Sequence, residues 1–236
     1  MTRRRSPALW SIGAALALLW HVEAIDAQTY LATGENADIT AEGLHRVDPL
    51  IMEAAWVKPG FDLTRFTKVL LMPTAVQFRD VPKRQTNALS RISETEFPLD
   101  DVRKEWFRQL WSRLVKAEFA QEEVYQTTDG VGPDVLVVQA YLVDVVSHIP
   151  PDTAGSSFMV VSDPWSVVIV LELRDSTTTE LLARTIDRRL VQGKADLGEV
   201  WYRTETVAEE WAQVVTNRLQ QLSDLGGHDR TPDWAR

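Results

Sequence analysis

The sequence predicts an α+β fold, a two-layer sandwich in which a mainly antiparallel sheet of about four strands carries two helices on one face, in the order β-α-β-β-β-α. Two windows repeat apolar residues at helical spacing, and four runs have the length and β-branched content of strands. Polar or Pro/Gly-bearing turns separate them.

Phe66 to Met72 is a short β-favouring run between Pro59-Gly60 and Pro73, as expected of a buried strand. Residues 74 to 97 lack sustained periodicity and read as a long connection. From Asp100 to Gln121, Val102, Trp106, Leu110, Leu114 and Ala117 form one helical stripe, joined by Phe107, Val115 and Phe119. Asp100 and Asp101 favour its first turn, where N–H groups are exposed, and Gly130 to Pro133 stops any helix. Val135 to Val146 is apolar almost throughout, which predicts a central strand covered on both faces. Trp165 to Arg174 and Glu180 to Gln192 alternate around the turn 175–179 and predict an antiparallel pair. Thr204 to Leu222 is the second helix, with Thr206 and Glu209 in capping-box spacing and Gly226-Gly227 behind it.

Residues 1–27 have the three parts of an export signal: Arg3, Arg4 and Arg5, an apolar run from Ala8 to Trp20, and a short polar stretch. The run is shorter than the roughly 20 residues that span a bilayer. Residues 28–48 then read as a polar leader, 49–225 as a single α+β domain and 226–236 as a mobile tail. The expected location is periplasmic or secreted, without a stable membrane anchor.

The chain of 236 residues has no cysteine and a formal net charge of −9. Thiolate metal centres, disulfides and a cysteine nucleophile are therefore impossible, and a nucleic acid backbone would be repelled. No phosphate loop, zinc helix, nucleophile elbow or calcium loop occurs, and no cofactor is expected. His45, His148 and His228 fall in leader, loop and tail, a poor basis for a metal site. Ser156 or Ser157 with His148 and Asp152 or Asp163 is the one arrangement resembling a hydrolase triad, and a polar surface loop is the favoured explanation of it. Asp144 and Asp187 are an acid/base pair if they face each other, and otherwise cap strand ends or pair with Arg184, Arg188 or Arg189. Glu94, Glu96, Asp100 and Asp101 read as a solvated helix entrance. Trp106, Trp111 and Trp211 belong to helices and read as core, whereas Trp165 and Trp56 flank loops and are candidate partner contacts, together with His148 and Asp152 of the loop 147–163.

Several segments carry a family resemblance: Val57 to Leu63 leading into Phe66 to Leu71, Gly132 to Leu136, Glu172 to Thr178 with Leu181 to Ala183 and Asp187 to Arg189, and Trp211-Ala212 with Arg218-Leu219. Together they resemble the bacterial envelope family called domain of unknown function 3313, over roughly Leu44 to Leu222. The resemblance implies an envelope protein without an assigned activity, and most such proteins are expected to be lipid-anchored through a cysteine that is missing here. Thr178 stands where the resemblance implies glycine in the last turn. The function expected is a non-enzymatic module binding an envelope protein through the uncovered sheet face or the loop 147–163. The alternatives are a small-molecule or lipid carrier with its pocket between sheet and helices, and a serine hydrolase built on that loop. N-terminal sequencing of the exported protein is expected to start at Ile25 or Gln28, because Ala24 and Ala27 both offer a small residue before a cut.

Overall fold

The computed structural model describes residues 39–47, 53–82, 96–122, 124–150, 160–162, 164–190, 194–196 and 199–227. The expected export signal and most of the leader and tail lie outside them. Among the described residues, ten strands and two helices follow in chain order: β1 His45–Val47, β2 Ala54–Val57, β3 Lys68–Leu71, β4 Ala75–Phe78, α1 Asp101–Phe119, β5 Gln126–Thr127, β6 Val135–Ser147, β7 Val160–Ser162, β8 Trp165–Asp175, β9 Leu181–Leu190, β10 Lys194–Asp196 and α2 Val200–Leu225.

The α+β class holds, but about four strands is an undercount. The main sheet has eight strands in the order β1-β2-β9-β8-β6-β3-β5, with β4 also pairing to β6, while β7 and β10 form a separate ribbon. The four anticipated runs are β3, β6, β8 and β9. The others span two to four residues each, too few to show a period of two. From β1 through β6 the pairing is antiparallel, while β3, β4 and β5 join in parallel.

β6 supports this arrangement. Its first part pairs with β3 and its later part with β4, both on the edge opposite β8. Pro73, between β3 and β4, has no N–H for a ladder, and its carbonyl accepts a hydrogen bond from Gln139 Nε2 at 2.8 Å. One interrupted edge thus takes the place of the single strand expected to end at Met72.

The layers are divided by strand parity. Leu136, Val138, Ala140, Ile169, Leu171 and Leu173 pack with both helices in the larger core. Val143, Val168, Val170, Ile186 and Trp56 form a smaller buried cluster of alternate positions, with Leu44. The sheet face away from the helices is therefore buried at these positions, and the expectation of an uncovered binding face is corrected.

In α1, Asp100 is the N-cap, its carboxylate accepting from Arg103 N–H at 2.7 Å. The buried stripe is Phe107, Leu110, Trp111, Leu114, Val115 and Phe119. Val102 is 79% exposed and Trp106 39%, and Ala117 is exposed too. Two overlapping apolar lines run along this helix, and the one with Phe107 and Trp111 turns inward. α2 begins at Val200 behind Glu199, so Thr206 sits inside the helix and not at its cap. Thr204 instead accepts a hydrogen bond from the indole N–H of Trp165 at 2.9 Å. Gly226 ends α2 where an added Cβ would lie 2.9 Å from Leu63 Cγ, so close packing demands glycine there.

A buried ion pair ties α2 to the sheet. Arg218 donates from Nε and Nη2 to the two carboxylate oxygens of Asp187 on β9, each at 2.6 Å, and both side chains are 4% exposed. Removing Arg218 leaves the buried Asp187 with only the half-exposed Arg189 beside it, which is worse than removing both members of the buried pair. Arg218→Met is expected to lower stability by about 3 kcal/mol in urea unfolding, and the Asp187→Leu, Arg218→Met double variant to recover most of that loss.

Candidate functional site

The distinctive site lies at the end of the sheet where β6 finishes. Asp144 interrupts β6 with φ of 56°, in the left-handed region, and the register shifts there against both β4 and β8. Arg79, just past β4, donates from Nε to Asp144 Oδ1 at 2.8 Å and from Nη2 to Oδ2. Its Nη1 donates to Glu96 Oε1 at 2.6 Å. Hydrogen bonding to Asp144 is the main influence raising the Arg79 pKa, against partial burial. One guanidinium therefore holds together the bulge, the exit from β4 and the approach to α1.

Arg79 N–H still donates to the Val145 carbonyl at 3.0 Å, but the chain at 80–82 leaves β6, and Phe97 takes its place, its N–H donating to the Ser147 carbonyl at 2.8 Å. The divergence opens a cleft of about 340 Å³. Phe78, Val81, Phe97, Leu99 and Val145 supply apolar lining, and Asp80, Asp100, Asp101 and Lys104 supply charge. The Lys104 ammonium lies 5.9 Å from the centre of the Phe78 ring. Around the first turns of α1, Trp106 meets Trp201 edge to face at 6.0 Å, and the Arg103 guanidinium stacks 4.5 Å from that same indole.

The contact candidates are placed differently from expectation. Trp56 and Trp165 are each 1% exposed. Trp165 packs on Phe107 at 5.3 Å within an aromatic cluster and is anchored to Thr204, and Trp56 lies in the smaller cluster with Arg46 over its ring. Both are corrected from surface contacts to interior side chains, because flanking loop residues do not reveal which face of a strand an indole takes. His148 is half-buried, its backbone N–H donating to the Pro164 carbonyl at 2.9 Å. Asp152, Ser156, Ser157 and Asp163 lie outside the described residues, so the triad has no geometry here.

Asp144 and Asp187 are not a pair. Asp144 is held by Arg79, and Asp187 by Arg218 with Arg189 at 3.2 Å. The pairing with Arg189 matches expectation. Arg218 and Arg79 escape a reading of the sequence because each lies far from its partner along the chain. On the other sheet face Glu172 is fully buried between Arg184 at 2.5 Å and Arg174 at 2.8 Å. Burial works to raise its pKa, but the two guanidiniums outweigh that and hold it below the ordinary carboxylate range. Burial, with the charge of Glu172, pushes the neighbouring Tyr141 phenol up to about 12. Among the described residues no cluster of His, Asp and Glu is arranged to hold a metal ion.

A family model described as "Protein of unknown function (DUF3313)" matches residues 51–215. The chain belongs to this DUF3313 family. No curated protein matches. Among solved structures, the chain is similar to a PelC dodecamer from Paraburkholderia phytofirmans, at 12% identity over 65% of this chain and 89% of that one, with a TM-score of 0.31. It is similar to the hypothetical protein CT253 from Chlamydia trachomatis, at 9% identity over 66% and 98%, with a TM-score of 0.37. Protein XCC0632 from Xanthomonas campestris matches at 11% identity over 70% and 94%, with a TM-score of 0.33. Likeness this distant assigns no activity.

The opposite end of this DUF3313 domain is closed on itself. Asp175 Oδ1 accepts from the N–H and hydroxyl of Thr177 at 2.7 and 2.6 Å and from Thr178 N–H at 3.0 Å, and its other oxygen meets Arg65. The left-handed residue of this turn is Thr179, with φ of 62°, next to the Thr178 that replaces the expected glycine. Burial alone would raise the Asp175 carboxyl, but Thr177, the Thr178 N–H and Arg65 outweigh it and hold it at about 2. Because this folded value lies below the unfolded one of about 3.9, its stabilisation is fully present above about pH 4 and lost as pH falls through about 2. Asp175→Asn is expected to flatten the dependence of the urea midpoint on pH across that window.

Proposed function

We propose that this DUF3313 protein is an exported, non-enzymatic module that binds a protein partner in the cell envelope through the first two turns of α1. The carrying observation is the pair Val102 and Trp106, 79% and 39% exposed, one helical turn apart on the side of α1 turned away from its buried stripe. Single exposed apolar residues are ordinary, but an exposed indole packed on a second one, with an exposed valine one turn away, is the composition of an interface centre. The ionisable groups singled out for catalysis support the same reading, since Asp144 and Asp187 are each committed to an arginine.

Against the carrier reading, the space between sheet and helices is filled by Phe107, Trp111 and Trp165, each at most 1% exposed. Export rests on the N-terminal pattern alone. Among the described residues no helix is long and apolar enough to cross a membrane.

The test is a native pull-down of the C-terminally tagged protein from the periplasm after mild cross-linking. A near-stoichiometric envelope protein is expected with the wild-type chain, and its recovery is expected to fall at least about fivefold with Val102→Ser, Trp106→Ala, whose exposed sites leave the melting temperature nearly unchanged. Equal recovery with the double variant removes this surface from the interface. A retained small molecule and no protein favours the carrier.

A further inference from the structure

We propose that the cleft beside α1 receives a basic, partly apolar, extended segment of the protein partner, with a Lys or Arg side chain set among its carboxylates; this rests on the interaction reading above. Five described carboxylates, Asp80, Glu96, Asp100, Asp101 and Asp144, border the cleft or its clamp, against three cations, Arg79, Lys104 and Arg108, the last over the Phe78 ring at 5.3 Å. Arg79 is taken up by Asp144 and Glu96, and Asp100 uses one oxygen to cap α1. Asp80 and Asp101 have no ion-pair partner among the described residues, while Lys104, on the same helix as Asp101, lies against the Phe78 ring with Arg108. An anionic ligand meets net repulsion here, and the positive end of the α1 dipole is already matched by Asp100 and Asp101.

The walls decide what accompanies the charge. Two non-helical stretches, 78–82 and 97–100, run along the cleft and present Phe78, Phe97 and Leu99. A trough of this kind fits an extended chain with apolar neighbours on either side of its cation.

The full chain is titrated with dye-labelled blocked peptides of sequence Leu-Lys-Phe-Arg-Leu and Leu-Glu-Phe-Glu-Leu, and separately with spermidine as competitor, followed by anisotropy. The basic peptide is expected to bind at least about tenfold more tightly than the acidic one. Asp80→Asn, Asp101→Asn is expected to weaken it about tenfold, as two partly screened pairs would, with an unchanged circular dichroism spectrum. Equal binding of both peptides, no binding up to about 1 mM, or full displacement by spermidine at equal concentration overturns the proposal. If the peptides fail while cross-linking to an envelope protein still depends on Trp106, only the cleft chemistry falls. If that dependence is lost as well, the interaction reading falls with it.

Discussion

The length of β6 is the constraint on which the rest of the fold depends. A strand of 13 residues is about 40 Å long, and both of its edges need partners. On one edge β8 supplies nearly the whole ladder. On the other, β3, β4 and the isolated bridge at Phe97 divide the work. A strand of this length twists strongly, and a single straight neighbour would lose register along it. Pro73 breaks the neighbour once, and Asp144, in its left-handed conformation, breaks β6 itself. The cleft follows from this geometry, because the chain beyond β4 turns away at the bulge and the chain before α1 replaces it.

The buried charges act on the same problem of register. Asp187 and Glu172 point to opposite faces of neighbouring strands, one toward Arg218 of α2 and the other toward Arg184 directly across the ladder. A slip of β9 by one residue would turn Asp187 away from α2 and draw Arg184 off Glu172, leaving charges buried and unpaired on both faces. A hydrophobic ladder of Val, Ile and Leu tolerates such a slip far better. The two pairs therefore discriminate between registers more than they add net stability. Their cost falls on the alternatives to the native pairing.

What can be read in the sequence follows from range. β6, β8 and β9 are visible because each is long enough to show its own period, and the start of α1 because Asp100 acts within a few residues. The expected stripe of α1 differs from the buried one at Val102 and Trp106 because two apolar lines overlap there, and only packing against Trp165 and Trp211 selects Phe107 for the interior. β1, β2, β4 and β5 are defined by their neighbours and have no local signature. The same limit hides the site. Arg79 and Asp144 are 65 residues apart, and their meeting depends on parallel pairing that no local pattern announces.

The two ends of the sheet differ in what they do with polar groups. At the β8–β9 turn, Asp175 accepts from Thr177, Thr178 and Arg65, and Ser176 bridges to both backbone groups of Gly132, so polarity is used up within the chain. Where β6 ends, a bulge, an arginine clamp and carboxylates without a described ion-pair partner gather around an open groove, and an exposed indole lies on the far side of the same helix start. Packing alone would favour the first solution at both ends, since unpaired charge and exposed aromatic surface contribute nothing to a core. This asymmetry, and no distant structural likeness, is what the proposed interaction surface at the start of α1 is argued from.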